Sequence, residues 1–138
     1  MASIMPAYHV SIVVEDVPAA MEDLTRLLGL TWAPLQGDAL FAYSLQGPPY
    51  IELIKRRDGG LFDKLGLHHL GIWVDDMRGE SARLESLGST LEFVAKDADG
   101  AWLPGCFHQT RDHIRLELVQ IGSSGPKLAR MLNGGEYA

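Results

Sequence analysis

Cys106 is the only cysteine in 138 residues, so no disulfide can form within the chain, and no Cys/His cluster of zinc-finger spacing is present. This usage suits a reducing cytoplasm. No apolar run approaches the ~18 residues that span a bilayer, and MASIMPAYHV lacks the charged and apolar regions of an export signal. Neither export nor membrane insertion is expected. Positive charge is also scarce: 12 Lys and Arg against 18 Asp and Glu leave a net charge of −6 and a pI near 5.2. Such a chain repels phosphate backbones, and its cations form no long stripe, so nucleic acid is excluded as an expected partner. What is present is ordinary for a soluble globular protein. With 46% hydrophobic and 22% charged residues the chain can fill one core, and its length suits one domain.

The chain repeats itself. HVSIVVEDV, from His9 to Val17, recurs sixty residues later without a gap as HLGIWVDDM, from His69 to Met77. Histidine, Ile12/Ile72, Val14/Val74 and Asp16/Asp76 coincide, and Leu24 and Leu27 continue into Leu84 and Leu87 before Gly29 or Gly88. Each half reads as a strand, an acidic turn and an amphipathic helix. One helix buries Ala20, Leu24, Leu27 and Leu28, the other Met77, Leu84 and Leu87; Glu22, Arg26, Arg83 and Glu85 lie outside. β-rich runs follow at Leu40 to Leu45 and Tyr50 to Ile54, then at Leu91 to Ala95 and Ile114 to Ile121, separated by turn signals. YIELI around Glu52 corresponds to RLELV around Glu117, so the second half has gained about five loop residues. The expected organisation is a first module over 7–55, a linker over 56–66, a second module over 67–121 and a tail over 122–138. The linker reads as polar and exposed, with Lys55, Arg56 and Arg57 as solvated charges in preference to an anion site; the tail reads as peripheral, with a short helix from Lys127 to Leu132.

Alternation along a strand sorts the side chains. Val10, Ile12 and Val14 face the helix, which leaves His9 and Ser11 on the opposite face; Leu70, Ile72 and Val74 likewise leave His69 and Gly71 there. Ser11 and Gly71 are small neighbours that leave room for a ligand. Glu52, between Ile51 and Leu53, and Glu117, between Leu116 and Leu118, take the same face. Two imidazoles and two carboxylates are costly to bury unpaired, and one divalent cation would compensate all four. His9, Glu52, His69 and Glu117 are therefore the expected ligands of one metal ion, for which Zn, Ni, Co, Mn and Fe all suit the donor set. His68 aligns with Tyr8 on the other face and reads as structural. His108 and His113, at the edges of the last strands, could reach substrate but read as turn or surface residues, and Cys106 reads as a buried thiol with no base partner.

These residues resemble the vicinal oxygen chelate superfamily, which includes glyoxalase I, methylmalonyl-CoA epimerase, extradiol dioxygenases, and fosfomycin and bleomycin resistance proteins. HHLGIWVDD and IRLELV carry the resemblance, which extends over about Ala7 to Ile121. It implies an α+β fold of tandem βαβββ modules curling into an incomplete barrel, with ligands from the first and last strands of each module: His9 and Glu52, then His69 and Glu117. It also implies a homodimer and a small-molecule substrate. In the glyoxalase and epimerase branches, a proton next to a carbonyl is removed by a carboxylate through a metal-stabilised enediolate. The catalytic residues so implied are Glu117 first and Glu52 second, in a metal-dependent lyase or isomerase. Val13 and Arg56 stand where glyoxalase I has glutathione contacts, and Glu52 where the epimerases usually have glutamine. Two other readings follow from the resemblance: a non-enzymatic antibiotic-binding protein, and an Fe(II) extradiol dioxygenase, against which Glu52 argues.

Overall fold

Two aspartates at equivalent places start the first two helices. In the computed structural model, which describes residues 7–137, Asp16 and Asp76 have extended backbones, and their carboxylates accept from the N–H groups of Ala19 and Gly79 at 3.0 and 3.1 Å. Such caps satisfy donors that a first helical turn cannot satisfy itself. The chain order is β1 (Ala7–Val14), α1 (Val17–Leu28), β2 (Phe41–Tyr43), β3 (Tyr50–Lys55), β4 (Gly66–Val74), α2 (Met77–Ser86), β5 (Thr90–Lys96), β6 (Trp102–Gln109), β7 (Arg115–Gln120) and α3 (Ile121–Leu132). The described residues divide into two compact units: His9–His68 with the segment from Lys127, and His69–Pro126 with residues 7–8.

In the first unit the strands lie in the order β2-β3-β1, with β1 and β3 parallel and β2 and β3 antiparallel. A parallel pair needs a crossover, and α1 lies within it. Val17, Ala42 and Leu53 form a buried core against which Ile12, Val14, Ala20, Met21, Leu24 and Ile51 pack, as the alternation requires. Leu27 and Leu28 do not complete the expected stripe; they are 59% and 67% exposed. The packed residues of α1 stop at Leu24, one turn before the left-handed Gly29 cap.

In the second unit the order is β4-β7-β6-β5, with β4 and β7 parallel and the other pairs antiparallel. Val74, Met77, Cys106 and Leu118 are its buried core, joined by Ile72, Leu84, Leu91, Val94 and Trp102. β6 lies outside the β-rich runs expected from composition, although the βαβββ resemblance implies a strand there; Pro104 and Gly105 interrupt the run WLPGCFHQ. Pairing with β5 shifts irregularly over this stretch, between the partners Val94↔Cys106 and Lys96↔Trp102. An irregularity of that kind accommodates a residue with no N–H.

Two peripheral segments are more structured than their composition suggests. α3 begins at Ile121, not Lys127, and runs through Pro126. Ser124, Leu128 and Met131, about one turn apart, are buried, and burial of this stripe outweighs the hydrogen bond that proline forfeits. The connection after β3 is exposed at most of its charges, and Arg56 pairs with Glu15 at 2.8 Å and Asp58 at 2.5 Å. Its apolar part is anchored: His68 donates from Nε2 to the Leu61 carbonyl at 2.7 Å, and its ring packs on Phe62 at 4.5 Å. No helix among the described residues is long and apolar enough to cross a membrane.

His113 occupies the expected turn, but His108 is no surface residue. It is fully buried, with Nε2 2.8 Å from the Ser81 hydroxyl and Nδ1 2.9 Å from that of Ser89. Burial holds its pKa below the ordinary 6.5. The unfolded chain therefore binds a proton at this position before the folded one does, and stability falls as pH drops below that value. Urea midpoints at about pH 7.5 and about pH 5.5 should fall less in His108→Gln than in the native protein. Equal losses in both proteins would remove His108 as the cause.

Candidate functional site

The two units carry the same local arrangement. In the first, β1 turns His9, Ser11 and Val13 to one face, and all three are buried. The parallel register sets Ser11 opposite Glu52; in the second unit it sets Gly71 opposite Glu117. The sequence repeat is thus a repeat of pairing geometry, and it delivers one histidine and one glutamate to each copy.

His9 Nε2 lies 3.5 Å from Glu52 Oε1, and His69 Nε2 lies 3.3 Å from Glu117 Oε1. The structure brings together His9 with Glu52 and His69 with Glu117, using the same ring nitrogen and the same carboxylate oxygen in both. Both histidines are almost wholly buried, while the Glu52 and Glu117 side chains are 13% and 23% exposed. Each pair is therefore sheltered yet reachable at its carboxylate.

The surroundings of the pairs differ at two positions whose importance the sequence does not reveal. Ser11 donates its hydroxyl to Glu52 Oε1; it is a partner of the glutamate and not merely a small residue making room. Its counterpart Gly71 has no hydroxyl. Tyr43, the antiparallel partner of Glu52, places its hydroxyl 3.3 Å from His9 Nδ1. At the corresponding place, opposite Glu117, stands Phe107, whose ring meets His69 edge-on at 4.9 Å. A proton on His9 Nδ1, donated to the Tyr43 oxygen, leaves the Nε2 lone pair for a Lewis acid. The signal for Tyr43 lay in its register to Glu52, not in any motif.

His9 and His69, both buried, and Glu117, half-buried, are residues that can hold a metal ion. Two imidazole nitrogens and carboxylate oxygens fit a divalent first-row ion. Cys106 is not available as a thiolate, because burial pushes its thiol up to about 12. His68 points to the Leu61 carbonyl and belongs to neither pair.

A family model described as the glyoxalase/bleomycin resistance protein/dioxygenase superfamily matches residues 8–102. No curated protein matches the chain. Among solved structures, the methylmalonyl-CoA epimerase of Streptomyces coelicolor, bound to 2-nitronate-propionyl-CoA, is 17% identical, with 85% of this chain and 94% of that one covered and a TM-score of 0.62. The epimerase of Mycobacterium tuberculosis is 20% identical, with 86% and 89% covered and a TM-score of 0.62. A hypothetical protein of Bacillus halodurans is 16% identical, with 83% and 92% covered and a TM-score of 0.66. These likenesses show the shared α+β fold. With the family model spanning well over half of its length, the chain belongs to the glyoxalase/bleomycin resistance protein/dioxygenase superfamily.

Proposed function

We propose that this protein is a metal-dependent lyase or isomerase that removes a proton from the carbon next to a carbonyl, with His9, His69 and Glu117 holding one divalent cation and Glu52 as a fourth ligand. The observation that carries the reading is the duplicated His–Glu pair, Nε2 to Oε1 at 3.5 and 3.3 Å, built on equivalent strand registers. A cation compensates carboxylates and orients imidazoles that would otherwise be buried at a cost. When bound, it supplies positive charge beside a substrate carbonyl and makes the neighbouring C–H more acidic. The rest falls to the chain. Glu117, the ligand that would leave the cation when substrate binds, accepts the proton and returns it, Glu52 is held by Ser11, and Tyr43 fixes the His9 ring. The epimerase bound to a propionyl-CoA nitronate makes acyl thioesters, beside 2-oxo compounds, the substrates to try first.

The test is proton exchange in D2O. Protein purified without chelators or a metal-binding tag is expected to place deuterium next to the carbonyl in at least one member of a panel of 2-oxo compounds and acyl thioesters. Stripping the metal should abolish it. Metal-free protein that binds an aromatic antibiotic tightly and exchanges nothing would replace the enzyme with a sequestering protein; oxygen uptake with catechols would replace it with a dioxygenase.

Tyr43→Phe is expected to weaken metal binding about ten-fold, as loss of a group orienting a ligand histidine does. Chelator competition measures this. An unchanged affinity would reduce Tyr43 to packing.

A further inference from the structure

Beside Glu52 the first unit holds a cavity of about 240 Å³, lined by Leu40, Phe41, Glu52, Ile54, Lys55, Arg57 and Phe62. Its walls are largely apolar, with Phe41 and Ile54 as register partners on β2 and β3. Lys55 and Arg57 complete the lining. They flank Arg56 in the sequence and differ from it. Arg56 is committed to Glu15 and Asp58, whereas the Arg57 side chain has no carboxylate partner among the described residues. The segment expected to be a solvated linker therefore supplies Phe62 and a guanidinium to a cavity that reaches a proposed metal ligand.

We infer that Lys55 and Arg57 recognise the carboxylate of a small organic acid, whose apolar segment lies against Phe41, Ile54 and Phe62. This rests on the proposed function and names its substrate class: a carbonyl compound that also carries a carboxylate. A guanidinium fork matches a carboxylate, and a largely apolar wall strengthens the attraction relative to open water. The volume lies below the ~300–1,000 Å³ of drug-sized sites, which favours a small acid.

The test compares 4-phenylbutanoate with its uncharged amide by calorimetric titration of metal-loaded and metal-stripped protein. The acid should bind roughly ten-fold more tightly than the amide, by an amount that salt reduces. The Lys55→Gln/Arg57→Gln double variant should bind both alike, while Arg111→Gln, which removes an exposed cation elsewhere, should keep the preference. Equal binding of acid and amide by the native protein overturns the inference, as does failure of the acid to bind at ~10 mM. A preference that survives in the double variant but vanishes on metal removal also overturns it, by assigning the charge recognition to the metal. Metal content, measured on the same samples, separates the two readings. A native protein that takes up no metal but shows an acid preference dependent on Lys55 and Arg57 refutes the proposed enzyme and keeps the acid site. Metal-loaded protein that exchanges protons without distinguishing acid from amide does the reverse.

Discussion

His9→Ala and His69→Ala are each expected to reduce the bound metal from about one equivalent to a small fraction of that, and to abolish deuterium exchange with it. The size of the effect follows from comparison with groups one bond further out. Losing a residue that only orients a ligand weakens metal binding by ~10–100-fold, so losing a ligand itself must cost more. Each substitution also leaves a half-buried carboxylate, Glu52 or Glu117, without the imidazole 3.5 or 3.3 Å away. That loss costs stability as well as metal, so the folded state must be checked by circular dichroism before metal content is compared. His68→Ala serves as the contrast. It removes an imidazole next in sequence to His69 but bonded to the Leu61 carbonyl, and metal content should remain near one equivalent. Full metal in His9→Ala, with its fold intact, would refute the metal site as assigned.

Legibility in the sequence followed the physical range of each signal. The His9/His69 repeat and the alternation around Glu52 and Glu117 were readable because side-chain direction along a strand is a local, two-residue property. The helix caps at Asp16 and Asp76 were readable for the same reason, each being settled within four residues. β6 was not. Its Pro104 and Gly105 carry a turn signal locally, and only pairing with β5 and β7, neither visible in the run WLPGCFHQ, makes a strand of it. The start of α3 was hidden likewise, since GSSGP argues against a helix until burial at Ser124, Leu128 and Met131 is known. His108 followed the same rule: its partners Ser81 and Ser89 lie 27 and 19 residues away, and nothing next to it announces burial. At the site itself, residue types were legible but roles were not. Ser11 could be seen as small, yet that it bonds Glu52 depends on the register of β1 with β3.

That register recurs in the second unit with different side chains on it, and the difference yields the other large prediction. Glu52 accepts from Ser11, whereas Gly71 offers Glu117 no hydroxyl; Tyr43 reaches its histidine with an oxygen, whereas Phe107 presents a ring edge. The two pairs therefore differ in the groups seen beside them, a serine and a tyrosine hydroxyl in the first unit, a glycine and a phenyl ring edge in the second. The backbone near Glu117 is also pared down, since a Cβ at Gly105 would come within 3.3 Å of Glu117 Oε2. A base must be reachable by its substrate, and the Glu117 side chain, 23% exposed against 13% for Glu52, is the more reachable of the two carboxylates. Glu117→Gln should accordingly lower the exchange rate by ~10²–10⁴-fold, the usual worth of a general base, under metal concentrations that keep the site loaded. Glu52→Gln should act mainly on metal affinity, with a rate loss of at most about ten-fold once metal is saturating. Ser11→Ala should remove one hydrogen bond from Glu52 and leave Glu117-dependent exchange in place. If Glu52→Gln stops exchange at saturating metal while Glu117→Gln does not, the base sits in the first unit, and Ser11 is then the group that orients it.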